Sequence, residues 1–136
     1  MRRLETHMPA DIRQFFDAYR DAFNRLDGRA VTAFYQVPSM ISNSSNEGLF
    51  VDAETLIANN EKLCALYRNS GFVRTEYVEN ASITQGDHFF VADLGWTIHR
   101  DNQAPQRFNT TYQLVRRGDA AAAWKIEHVT AYSEKQ

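Results

Sequence analysis

Few side chains in this sequence can move a proton near neutral pH: the four histidines His7, His88, His99 and His128 are the obvious ones. A general base must lie within hydrogen-bond reach of the atom it deprotonates, and histidine has the ordinary pKa best suited to that task near pH 7. Alternation along the C-terminal third puts His128, alone among the four, on the apolar side of its segment. Thr110, Tyr112, Thr130 and Tyr132 share that side, and Tyr19 faces it from an N-terminal amphipathic segment. The set reads as a candidate catalytic group, with His128 as general base and Tyr19 or Tyr112 as donor to a developing oxyanion. It also has a plainer reading, in which an inward histidine bonds a tyrosine hydroxyl or a backbone carbonyl inside the core. Phe16, Tyr35, Met40 and Trp96 join these residues as the candidate lining of a ligand pocket. Tyrosine hydroxyls buried together need partners, and a cavity holding water or ligand is the usual way to supply them. Asp93 and Glu127, the tempting acid and base, fall on the opposite phase and are expected to face outward.

The elements that would position these groups follow from hydrophobic spacing. Ile12, Phe15, Phe16, Tyr19, Ala22, Phe23 and Leu26 recur at a 3.6-residue period, which predicts an amphipathic helix that Asp27-Gly28 ends. Val31, Phe34 and Tyr35 mark a short second helix that Pro38 cannot continue. Val37 to Ser42 and Gly48 to Val51 read as a loose hairpin around the polar stretch Asn43 to Glu47. Asp52 can cap a third helix with Leu56, Ile57, Asn60, Leu63, Cys64 and Tyr67 on its inner stripe. Beyond Gly71 the period changes to two. Four runs, 72–84, 88–100, 106–117 and 123–132, are separated by short turns and so predict an antiparallel meander. Along the last three runs one phase is mostly hydrophobic and the other mostly polar, so helices should cover one face only. The fold class expected is α+β: a cone-like, curved, mostly antiparallel sheet of four long C-terminal strands plus a short N-terminal hairpin, wrapped on one face by three helices. Residues 1–8 are expected to be a flexible segment, 9–133 a single domain and 134–136 a tail.

Composition narrows the function classes. The 136 residues are 43% hydrophobic and 24% charged, which is ordinary for one globular domain. A formal charge of −2, with no block of like sign, gives no footprint for nucleic acid. Apolar runs stay far below the ~20 residues of a membrane helix. The first residues carry charge with no apolar segment behind them, so the expectation is a cytoplasmic protein without a membrane partner. Nucleotide-binding glycine motifs, a nucleophile elbow and metal-ligand spacings are all missing from the sequence, so no cofactor and no metal are expected.

Three stretches carry a resemblance to a known family. Ala18-Tyr19-Arg20-Asp21-Ala22-Phe23-Asn24-Arg25-Leu26-Asp27 and Ala30-Val31-Thr32-Ala33-Phe34-Tyr35 are similar to the first two helices of nuclear transport factor 2-like domains. Gly86-Asp87 through Trp96-Thr97-Ile98, Tyr112 through Asp119, and Trp124-Lys125-Ile126 resemble the terminal hairpins of its SnoaL-like members. The resemblance spans about Pro9 to Ser133 and implies the cone fold. It also implies a position for Tyr19 like that of the tyrosine with which ketosteroid isomerases donate to an enolate oxygen. Where those enzymes carry their catalytic aspartate this chain reads Ser39-Met40-Ile41-Ser42-Asn43, and Tyr112 stands in place of their second aspartate. Fold and function diverge in this superfamily. The first expectation is therefore a SnoaL-like domain that binds an unknown small apolar or aromatic molecule between the first helix and the sheet. The alternatives are a cofactor-independent isomerase, cyclase or dehydratase using His128 with Tyr19 or Tyr112, and a homodimeric protein-interaction module. A homodimer through the outer sheet face is expected from Phe89, Val91, Val115, Val129 and Ala131.

Overall fold

The computed structural model describes residues 8–119 and 123–133. The expected segment at residues 1–7 and the tail at 134–136 lie outside the described residues. Met8, assigned to the leading segment by the sequence, instead packs in the core at 4% exposure, and its N–H donates to Glu79 Oε1 at 2.8 Å. The first helix, α1 (Ala10–Asn24), buries Ile12, Phe16, Tyr19 and Ala22, the stripe its spacing predicts. Leu26 takes the left-handed conformation that ends it, at φ 53°, and Asp27 N–H bonds back to Ala22 O at 3.3 Å. Asp27 then caps α2 (Gly28–Thr32) by accepting from Ala30 N–H at 3.0 Å. A hairpin of β1 (Tyr35–Ser42) and β2 (Glu47–Phe50) leads to α3 (Ala53–Asn69), where the Asp52 carboxylate accepts from Thr55 N–H. Helices α2 and α3 touch through backbone: a Cβ added at Gly28 would lie 2.6 Å from Glu61 N. Only glycine allows that approach.

Four long strands follow, β3 (Phe72–Gln85), β4 (Phe89–Arg100), β5 (Gln106–Val115) and β6 (Lys125–Tyr132). All six strands form one sheet in the order β2-β1-β6-β5-β4-β3, antiparallel except where β1 lies parallel to β6. The α+β architecture with a curved sheet and three helices is the one the sequence predicts. Phe90, Ala92, Leu94, Trp96, Leu114 and Ile126 point at the helices and form the core with the α1 stripe. Phe16 is fully buried, its ring centroid 5.0 Å from that of Tyr112, so α1 is held directly on β5. At the other end of α1, Trp124 Nε1 donates to Asp11 Oδ2 at 3.0 Å while the Arg116 guanidinium lies 4.3 Å from the Trp124 ring centroid. Among the described residues, no helix is long and apolar enough to cross a membrane.

One strand departs from the alternation predicted for it. Gln113 pairs with His128 and Leu114 with Ile126, so Glu127 is an extra residue that β5 does not match. Such a bulge reverses which face each later side chain takes. Ile126 points inward as expected, but beyond the bulge Val129 and Ala131 point inward, and His128, Thr130 and Tyr132 point outward. Met40, paired with His128 across the parallel ladder, shares its outward face, and Ile41 takes the inner one beside Val129. The inward assignment of Met40, His128, Thr130 and Tyr132 is thereby corrected, as is the outward assignment of Val129 and Ala131.

Candidate functional site

Between the helices and the concave side of the sheet lies a cavity of about 230 Å³. Its floor is aromatic: Tyr19 from α1, Tyr35 from β1, Trp96 from β4 and Tyr112 from β5 all line it, with Thr110 beside them. Phe23, Leu63, Ile98, Phe108, Val129 and Ala131 make most of the wall apolar. Asn43, exposed at the start of the β1–β2 loop, half-buried Asn59 and buried Asn60 on α3 also line it, adding amides to the wall.

Five of the residues proposed from the sequence therefore meet in one cavity: Tyr19, Tyr35, Trp96, Thr110 and Tyr112. Phe16 does not reach it and instead supports Tyr112 from the core side. Met40, His128, Thr130 and Tyr132 are not part of it. The Tyr132 hydroxyl donates to Asp93 Oδ2 at 2.7 Å, an outer-face carboxylate that also accepts from Thr111 at 2.6 Å and Asn80 at 2.8 Å. His128 Nε2 is buried on the same outer face without a hydrogen-bond partner among the described residues. Facing away from Tyr19 and Tyr112, it is not a base for anything held between them. The reversal was visible in the residue types: after Ile126 the apolar positions are Val129 and Ala131, one residue out of step, which is the mark of an inserted residue. Asn60, Leu63 and Tyr67 were placed on the inner stripe of α3, but as core; the sequence does not tell core from cavity wall. Asn43 and Asn59 were missed as lining residues altogether.

The polar tips on the floor are bonded to one another. Tyr19 and Tyr35 share a hydroxyl–hydroxyl bond of 2.8 Å, and Trp96 Nε1–H donates to the Tyr112 hydroxyl at 3.0 Å. The Tyr112 hydroxyl also interacts with those of Tyr19 and Thr110. An indole N–H only donates, so the Tyr112 oxygen is held as an acceptor and its proton is turned to a neighbour or to the cavity. Burial pushes the Tyr19 phenol well above its ordinary value, with further upward contributions from Tyr35 and Tyr112. Burial likewise raises Tyr112, and pushes Tyr35 up to about 12. All three phenols are neutral hydrogen-bond donors near pH 7. Among the described residues lining the cavity there is no carboxylate, imidazole, ammonium or guanidinium. The floor can polarise an oxygen that accepts a hydrogen bond, but it offers no side chain to abstract a proton.

Residues 10–134 match the family model of an NTF2-like protein (DUF6841). The chain belongs to this family. Crystal structures agree with that placement of the NTF2-like chain. An NTF-2 like protein of unknown function from Shewanella oneidensis MR-1 superposes with a TM-score of 0.73 at 16% identity, covering 90% of this chain and 97% of the other. A protein from Thiobacillus denitrificans, named for the calcium/calmodulin-dependent protein kinase type II association domain, gives 0.74 at 15% identity over 96% and 100%. A ketosteroid isomerase-like protein from Erwinia carotovora atroseptica gives 0.64 at 15% identity over 97% and 100%. At these identities the likeness is one of fold. No curated protein matches the NTF2-like chain.

Proposed function

We propose that this NTF2-like chain binds a small, uncharged, largely apolar molecule carrying an oxygen that accepts a hydrogen bond from the phenol floor. The observation that carries this reading is the convergence of three neutral phenols, with an indole N–H behind them, on the floor of a mostly apolar cavity. An apolar cavity of about 150 Å³ is known to take benzene in another protein, so about 230 Å³ suits a mono- or bicyclic compound. A charged ligand is disfavoured, because a buried charge without a counter-ion costs several kcal/mol. A proton-transfer enzyme remains the alternative, but its base would have to come from the substrate or from water, since His128 faces away.

Calorimetric titration of α-tetralone, a bicyclic ketone, against its hydrocarbon analogue tetralin and against naphthoate tests the proposal. The ketone should bind about three- to tenfold more tightly than the hydrocarbon, the value of one net hydrogen bond, and naphthoate should not bind measurably. Tyr112→Phe should narrow the ketone–hydrocarbon gap. Equal affinity for all three compounds, or no binding of any, would end the proposal.

We infer also that the outer sheet face receives a second copy of the chain. Phe89 and Val91 remain half-buried on it beside Met40, although Val129 and Ala131 turn inward and Val115 is fully buried and no longer contributes. The association-domain name of one structural neighbour supports assembly through this fold. Light scattering at micromolar concentration should give twice the monomer mass, and Val91→Lys should return the monomer. A wild-type chain that stays monomeric would refute the reading.

A further inference from the structure

Two asparagines that line the cavity, one exposed and one buried, have their amide orientations fixed by the protein itself, and in opposite senses. Asn43 Oδ1 accepts from the N–H groups of both Ser45 and Asn46 at 2.9 Å, while the Asn43 N–H donates to Asn46 O at 2.8 Å to close the turn. With the oxygen so engaged, the Asn43 Nδ2 group is the end left to donate. Asn60 is held the other way. Its Nδ2 donates to Thr32 Oγ1 at 2.9 Å, and that hydroxyl donates onward to Gly28 O at 2.8 Å. Flipping the Asn60 amide would set its oxygen against Thr32 Oγ1 and pull the hydroxyl proton away from Gly28 O. Asn60 is 2% exposed and lines the cavity, and among the described residues its side chain is bonded through Nδ2. With Nδ2 anchored on Thr32, Oδ1 is the end of this cavity-lining amide left to accept.

We propose that Asn43 and Asn60 form a second polar subsite of the cavity, specific for an uncharged group that donates and accepts at once, such as a hydroxyl or a carboxamide. This rests on the binding reading above and adds to it the identity of the ligand's other end. The floor requires an acceptor oxygen, and the rest of the lining offers one oriented donor in Asn43 Nδ2 and one oriented acceptor in Asn60 Oδ1. A carboxylate there would meet Asn60 Oδ1 as repulsion, and an ammonium would meet Asn43 Nδ2 in the same way. The ligand class is therefore a compact apolar body with a carbonyl at one end and a neutral hydroxyl or amide at the other.

Three probes of one skeleton test the subsite: α-tetralone, its derivative with a hydroxyl on the ring edge opposite the carbonyl, and the corresponding methyl ether. The hydroxylated ketone should bind the wild-type chain about three- to tenfold more tightly than α-tetralone, and the ether, which can accept from Asn43 but cannot donate to Asn60, should gain less than the hydroxyl. Asn60→Leu should lower the hydroxyl-to-parent affinity ratio, both affinities being measured on the variant, to that of the ether. Asn60 also holds Thr32, so if Asn60→Leu fails to fold then Asn43→Ala provides the same ratio from the exposed side. If α-tetralone binds and its hydroxyl derivative binds no better, the subsite is refuted and the cavity reading survives. If no probe binds, both fall.

Discussion

Above about pH 10 the protein should lose stability steeply, and the loss should be traceable to the cavity floor. In the unfolded chain a phenol ionises near pH 10. In the folded chain burial holds Tyr19, Tyr35 and Tyr112 above that value, Tyr35 at about 12 and the other two higher in direction. The folded state therefore keeps protons that the unfolded state has released. Stability contributed by these groups is fully present below about pH 10 and is lost as pH rises toward their folded values. Each such phenol contributes a slope of about 1.4 kcal/mol per pH unit in that window, so the three together approach about 4 kcal/mol per unit. Tyr77 adds to it, raised by burial and by the Asp17 carboxylate that accepts its proton at 2.6 Å. Urea unfolding between about pH 10 and 12 should show this slope in the wild-type chain and a slope smaller by up to about 1.4 kcal/mol per unit in Tyr35→Phe. The same holds for Tyr112→Phe, although removing that hydroxyl also strands the Trp96 N–H and lowers stability at every pH by about 1–3 kcal/mol. A slope identical in wild type and both variants would mean that the floor is hydrated and that its phenols titrate normally. The result bears on function as well, because phenols that resist ionisation this strongly keep the protons they would donate to a ligand at neutral pH.

That floor was readable from the sequence wherever the backbone kept its period. Tyr19 follows from helical spacing within α1, and Trp96, Thr110 and Tyr112 follow from unbroken alternation along β4 and β5, whose ladder pairs Trp96 with Phe108 and Ala92 with Tyr112 without a break. Periodicity propagates position from one residue to the next, and it fails at the first residue that breaks the register. Glu127 is that residue in β6, and no glycine or proline stands there to announce it. Everything placed beyond it, His128 above all, went to the wrong face. The second irregularity lies in β1, where the register against β6 shifts between Tyr35 and Met40, so that Tyr35 was assigned correctly and Met40 was not. The amides were hidden for a different reason. Asn60 on an inner helical stripe looks like a tolerated polar residue, and Asn43 like a loop residue. Their orientations come from contacts with Thr32, Ser45 and Asn46, and in the Asn60 case the partner is 28 positions away in the chain.

The position that should cost most to truncate is one the sequence placed in the pocket and the structure moves beneath it. Phe16 has no exposed surface, sits 5.0 Å from the Tyr112 ring and meets Phe15 edge-on at 5.1 Å and Tyr19 at 6.3 Å. Phe16→Ala removes its buried ring atoms and opens a void that α1 cannot collapse into, because Met8 and Arg13 at one end are tied to Glu79 and Asn24 at the other exchanges hydrogen bonds with the Thr75 backbone. The expected loss is about 3–5 kcal/mol, a large share of the ~5–15 kcal/mol that a domain of this size holds in total. Urea titration should record it as a lower midpoint with an unchanged slope against denaturant. Phe16→Leu should cost less, since a branched aliphatic fills part of the space. Since Phe16 touches Tyr19 and Tyr112 on the side away from the cavity, the alanine variant should also weaken α-tetralone binding without having removed any group that contacts the ligand. A loss below about 1 kcal/mol would show that the aromatic cluster repacks freely, and a floor that repacks freely cannot hold its phenols in a fixed array of donors.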